Sequence, residues 1–155
     1  MRVDLEHPDP GPVPGGRSRE HYGILAGALV AALGLACLGL ALTPDARGLG
    51  THEQLGFAPC LPMDAWGVPC PGCGVTTAAT LAAQGRPLES LATQPLGFLL
   101  ALLVVLAVVL APLAHLAGRD LGADARRLPA GLLWKAAVLV TALAWAWKAY
   151  SVLGR

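Results

Sequence analysis

The chain has 155 residues, of which 55% are hydrophobic and only 14% charged, and its formal net charge is +1. Soluble domains carry about 25% charged residues, and here the charges avoid three long windows. No basic run is longer than Arg126-Arg127, which excludes a nucleic-acid footprint, and four cysteines are too few for a disulfide scaffold.

Residues 1–22 are rich in proline, glycine and charge. Such a segment buries too little apolar area to offset its ordering entropy, so a disordered N-terminal tail is expected. "GILAGALVAALGLACLGLAL", residues 23–42, follows without one charge. Twenty helical residues span about 30 Å, the thickness of a bilayer core. The run is longer than the apolar region of a cleavable signal peptide, which makes it a retained anchor, transmembrane helix 1. Cys37 within it reads as a small hydrophobe.

Residues 43–95 form a connection that carries Cys60, Cys70 and Cys73. In it, "VTTAATLAAQ" (75–84) is free of Gly and Pro, and Gly85 can cap its C-terminus. "PLESLATQ" (87–94) starts with Pro87 at a first helical position, and Pro95 opens the next span in the same way. Two short interfacial helices are therefore expected. "LGFLLALLVVLAVVLAPLAHLA" (96–117) is transmembrane helix 2, in which Pro112 is tolerable and His115 is read as an interfacial side chain. A short connection, 118–129, leads to "AGLLWKAAVLVTALAWAWKAY" (130–150), transmembrane helix 3. Its Lys135 can snorkel, and Trp134, Trp145, Trp147 and Tyr150 suit the aromatic belts. The fold class is an all-α membrane protein with three transmembrane helices and two short interfacial helices in the 43–95 connection.

Sidedness follows the Lys and Arg residues near span ends. Arg17, Arg19, Arg119, Arg126, Arg127 and Lys135 lie on one side, Arg47, Arg86, Lys148 and Arg155 on the other. The imbalance favours a cytoplasmic N-terminus and an exterior 43–95 segment.

Cys70 and Cys73 flank a Pro-Gly pair, and cysteines three positions apart can point at one ion. Structural zinc takes four ligands, often with C-x₂₋₄-C spacing. Cys60, Cys70 and Cys73 offer three, and His52 is the nearby fourth candidate, because Asp64 and Glu53 are harder donors. A redox dithiol uses the same spacing: a helix N-terminus lowers the thiol pKa of a C-x-x-C motif, with Cys60 as partner to Cys70 and Cys73. The third reading is a disulfide from Cys60 that staples the loop. Transport is least favoured, since three spans with few ionisable groups offer no ion path.

The landmarks Cys60, Pro62, Gly67, "CPGCGVTT" (70–77), "GRP" (85–87) and "QPLGFLLALL" from 94 resemble the domain-of-unknown-function family numbered 2752, small bacterial membrane proteins with a C-P-x-C-G motif. The resemblance implies a bacterial cell-membrane location and supplies no reaction. Thr77, Arg86 and Gln94 stand where the family has Arg, Asp and Asn. Two helix starts thereby lose a capping side chain worth about 0.5–2 kcal/mol each.

The expectation is a non-enzymatic membrane component that binds a metal, zinc foremost, or a protein partner through the cysteine-bearing cap. No catalytic residue and no small-molecule substrate is assigned. The alternatives are a membrane thiol–disulfide oxidoreductase and a structural subunit with a stapled loop.

Overall fold

The computed structural model describes residues 17–154. Most of the expected N-terminal tail, residues 1–16, lies outside the described residues, as does Arg155. The described chain is helical, with no strand. Three helices are long and apolar enough to cross a membrane: α1 (Arg19–Ala41), α5 (Pro95–Leu116) and α7 (Ala130–Leu153).

The first of these starts four residues before the apolar window, so residues 19–22 belong to a helix and not to a tail. Ser18 explains the earlier start. Its hydroxyl accepts the His21 N–H at 3.2 Å as an N-cap, while its own N–H and O–H donate to the Asp120 carboxylate at 3.0 and 2.8 Å.

Between the first two spans lie a 3-10 turn (Thr51–Leu55) and three short helices, α2 (Leu61–Trp66), α3 (Val75–Ala83) and α4 (Pro87–Thr93). The two expected helices are present as α3 and α4, and α2 is additional. It starts at Leu61 with Pro62 in its first turn and is closed by Gly67 in the left-handed region, φ 67°. The 118–129 connection also holds a helix, α6 (Leu121–Arg126), capped by Asp120 through the N–H groups of Gly122 and Ala123. The close of α3 follows the expected glycine: Arg86 N–H donates to Leu81 O at 2.9 Å and Gly85 N–H to Ala82 O at 3.0 Å, a Schellman arrangement with Gly85 at φ 76°.

Among the described residues the usual burial pattern is inverted. His21, Thr51, Thr80, Ser90 and Gln94 are 0% exposed, whereas Leu40 is 90% and Leu116 80% exposed. In water this would leave a large apolar surface uncovered. In hydrocarbon it is the stable choice, because polar groups must be satisfied internally and leucine loses nothing by facing lipid.

Helix α3 sits inside the bundle rather than on it, against α1, α4 and α5. Gly97 permits this approach: a Cβ at that position would stand 2.6 Å from Val75 O and 2.8 Å from Ala78 Cβ. The final span is held to the cap by polar side chains. Trp145 Nε1 donates to Pro69 O at 2.8 Å, Trp147 Nε1 to Ala92 O at 2.9 Å, and Lys148 Nζ to Gly48 O at 2.7 Å. Lys148 thus differs from a surface cation at a span end. It is 2% exposed, because its ammonium satisfies loop carbonyls that would otherwise be buried unpaired.

His115 likewise does more than face the interface. Leu121 N–H donates to His21 Nδ1 at 3.1 Å, so the neutral His21 ring carries its proton on Nε2 and donates it to His115 Nδ1 at 2.9 Å. This pair joins α1 to α5 at the end of the bundle away from the cysteines.

Candidate metal centre

Two segments deliver the three sulfurs. Cys60 is the N-cap residue of α2. Cys70 opens a tight turn that Cys73 closes by donating its N–H to Cys70 O at 3.0 Å. Gly74 then enters α3 at φ 84°, a backbone region that disfavours a side chain. A Cβ on Gly74 would also meet Gly48 O at 2.6 Å and Lys148 Nζ at 3.0 Å. Glycine here lets the loop around residue 48 press against the turn that carries Cys73.

The three thiols converge. The Cys73 thiol donates to Cys60 Sγ at 3.1 Å and the Cys70 thiol to Cys73 Sγ at 3.4 Å. All three sulfurs lie within 4.8 Å of one another. None is in a disulfide, and Cys73 is buried while the other two are half-buried. Cys37 is exposed on α1, apart from the cluster.

Their environments are unequal. Burial opposes ionisation of Cys60, but the Cys73 thiol, the N–H groups of Met63 and Cys70 and the Cys70 thiol outweigh it, and its pKa lies below the ordinary 9.0. Cys73 is pushed up to about 12, first by burial and then by its bonds to the other two thiols. Cys60 is therefore the end of a short thiol relay that gives up its proton more readily than Cys73.

The donors fit a soft ion. Thiolates at a zinc–sulfur length of about 2.3 Å stand about 3.8 Å apart in a tetrahedron, so the two closest pairs need to part by only a fraction of an ångström. Thiolate ligands select zinc or monovalent copper over hard cations. A disulfide, with sulfurs about 2.0 Å apart, would require Cys60 and Cys73 to close by about 1 Å.

His52 is not brought into this group. No His, Asp or Glu among the described residues joins the three sulfurs, and His52 Nε2 lies 3.2 Å from Ala58 O instead. The left-handed Gly50 and Gly56 that bracket its 3-10 turn direct the loop this way. His52 nevertheless borders the open cleft of about 720 Å³ that Cys60 and Cys73 line, together with Arg47, Met63 and Lys148.

Sequence reasoning missed the residues that hold the cysteine turn. Gln94 is a helix-start residue without a side-chain cap, as expected, but its amide Nε2 donates to the carbonyls of Pro71 and Cys73, each at 3.3 Å. Trp145 fixes the carbonyl of Pro69 on the other flank of Cys70. Thr77 is buried against Thr51, with hydroxyls 2.8 Å apart. Arg86 pairs with Glu89 at the start of α4. The signal for Gln94 was its place directly before Pro95, at a helix start where the resembled family has Asn.

The model of the family described as "Protein of unknown function (DUF2752)" matches residues 60–108, from the first sulfur into α5. This bears out the resemblance drawn from Cys60, the C-P-G-C turn and the helix start at Pro95. No curated protein and no solved structure gives a match.

Proposed function

We propose that this chain is an integral membrane protein of the bacterial cell membrane that holds one soft metal ion, zinc foremost, on Cys60, Cys70 and Cys73. The observation that carries the reading is the convergence of three unbridged sulfurs from two separate loop segments within 4.8 Å. Supporting it are the backbone N–H groups of Met63 and Cys70 at the Cys60 sulfur, which stabilise thiolate. A bound ion would cross-link α2 to the turn before α3 and complete the cap. The Lys and Arg distribution favours an exterior cap and a cytoplasmic N-terminus, with a membrane-protein partner as the further expectation. Reporter fusions after residues 22, 60, 125 and 155 test that sidedness, and a cytoplasmic reporter at 60 would reverse it.

The test of the metal is elemental analysis of detergent-purified protein. One tightly held ion per chain is expected, lost in Cys70→Ser and kept in His52→Ala. A metal-free wild type that is fully folded removes the reading.

The 3.1 Å approach of Cys73 to Cys60 favours one alternative, thiol–disulfide exchange at a membrane surface. There the bond would form between Cys60 and Cys73 rather than within the C-x-x-C turn. Acid trapping and mass mapping of the thiols in cells distinguish it, since the metal reading expects all three to stay reduced.

A further inference from the structure

We propose that the cleft beside Cys60 and Cys73 is a binding site for a small thiol whose sulfur completes the three-sulfur centre. The inference rests on the metal reading of the same cysteines. Three protein donors leave one position of a tetrahedron open, which is the mark of a zinc site that exchanges a ligand rather than one that only braces a fold.

Three observations place the fourth donor in the cleft. No His, Asp or Glu among the described residues stands with the sulfurs. Two of the three cysteines, Cys60 and Cys73, line the cleft wall, whose volume of about 720 Å³ is within the range of small-molecule sites, about 300–1,000 Å³. Outside the cleft lining, the Gln94 amide occupies the carbonyls of Pro71 and Cys73 and so closes the other flank of the turn. A fourth ligand therefore enters from the cleft.

The chemistry of the lining selects the ligand. An ion chosen by three thiolates prefers a soft fourth donor, and a thiol is the soft donor common among small metabolites. Most of the charged side chains along the cleft are already engaged, Arg47 with Asp45 and Glu53, Glu89 with Arg86, and Lys148 with the carbonyls of Gly48 and Thr93, so the sulfur rather than a charge selects the ligand.

The experiment loads the reduced full-length protein in detergent with one equivalent of cobalt(II), whose sulfur-to-metal charge-transfer band reports the number of thiolate donors. L-cysteine is then added at up to a few equivalents, with L-serine, the same shape with oxygen for sulfur, as control. The expected result is a band that grows by about a third with cysteine, three sulfur donors becoming four, saturates, and does not respond to serine. The narrowed cleft of Ala92→Phe, a change at an exposed wall position, should take up cobalt normally and lose the cysteine response. A cobalt band that cysteine leaves unchanged means that a protein group already fills the position, which overturns this inference while the metal reading stands. Transfer of the cobalt to free cysteine also overturns it. No cobalt band at all removes both.

Discussion

The side-chain amide of Gln94 donates to the carbonyl oxygen of Cys73 at 3.3 Å, across 21 positions of sequence. A residue at the start of a membrane-spanning helix thus sets the backbone from which a sulfur projects, and through Pro71 O it holds both sides of the turn. Replacing it tests whether the centre is preorganised by the bundle beneath it. Gln94→Ala leaves two carbonyls short of a donor, at about 1–3 kcal/mol of stability, and loosening ligands from the second layer typically weakens metal binding about 10–100-fold. Thermal denaturation and competition with a chromophoric chelator measure the two effects. Unchanged affinity would mean that the ion organises the turn by itself.

Trp145 makes the matching contact from the last span. Trp145→Phe keeps the ring and removes only the N–H that donates to Pro69 O, so a loss of about 1 kcal/mol is expected. Amide exchange across residues 67–74 should quicken while exchange in α1 stays the same. Equal protection in both proteins would show that α7 does not restrain the cysteine turn.

The unequal thiols predict an order of alkylation. In reduced, metal-free protein the depressed pKa of Cys60 provides the larger thiolate fraction near neutral pH, whereas Cys73, at about 12, stays protonated through pH 9. Iodoacetamide followed by peptide mass mapping should label Cys60 well before Cys73. Because an ion must displace protons from these sulfurs, metal affinity should rise with pH over the same range. Faster labelling of Cys73 would contradict the relay.

At the opposite end of the bundle, Asp120 predicts an acid dependence. The N–H and hydroxyl of Ser18 come first among the groups that hold its pKa down to about 2. The N–H groups of Ala123 and Gly122 assist, and partial burial works the other way. An unfolded aspartate titrates near about 3.9. The stabilisation is therefore fully present above that value and disappears as the pH falls through about 2. Thermal denaturation in detergent should show wild type above Asp120→Asn at pH 5, with the gap closing toward pH 2. A gap that persists at pH 2 would assign the effect to something other than the carboxylate charge.

Much of this molecule was determined by local sequence. The long apolar windows, poor in charge, specified three spans because transfer to hydrocarbon depends on composition summed along a helix. Pro87, Pro95 and Gly85 marked the borders of α3, α4 and α5 because their backbone preferences act within one turn. The three cysteines could be nominated for the same reason: a C-x-x-C turn is a local geometry.

Tertiary structure decided what those cysteines face. Cys60 approaches Cys73 rather than leaving the C-x-x-C pair alone, and His52, close in sequence, turns to Ala58 O. Gln94, Trp145 and Lys148 became parts of the site's scaffold through hydrogen bonds spanning 21 to 100 positions. Such bonds leave no periodic trace in the chain. They form because buried carbonyls in irregular loops must find donors once water is excluded, and only the packed bundle determines which donors are within reach.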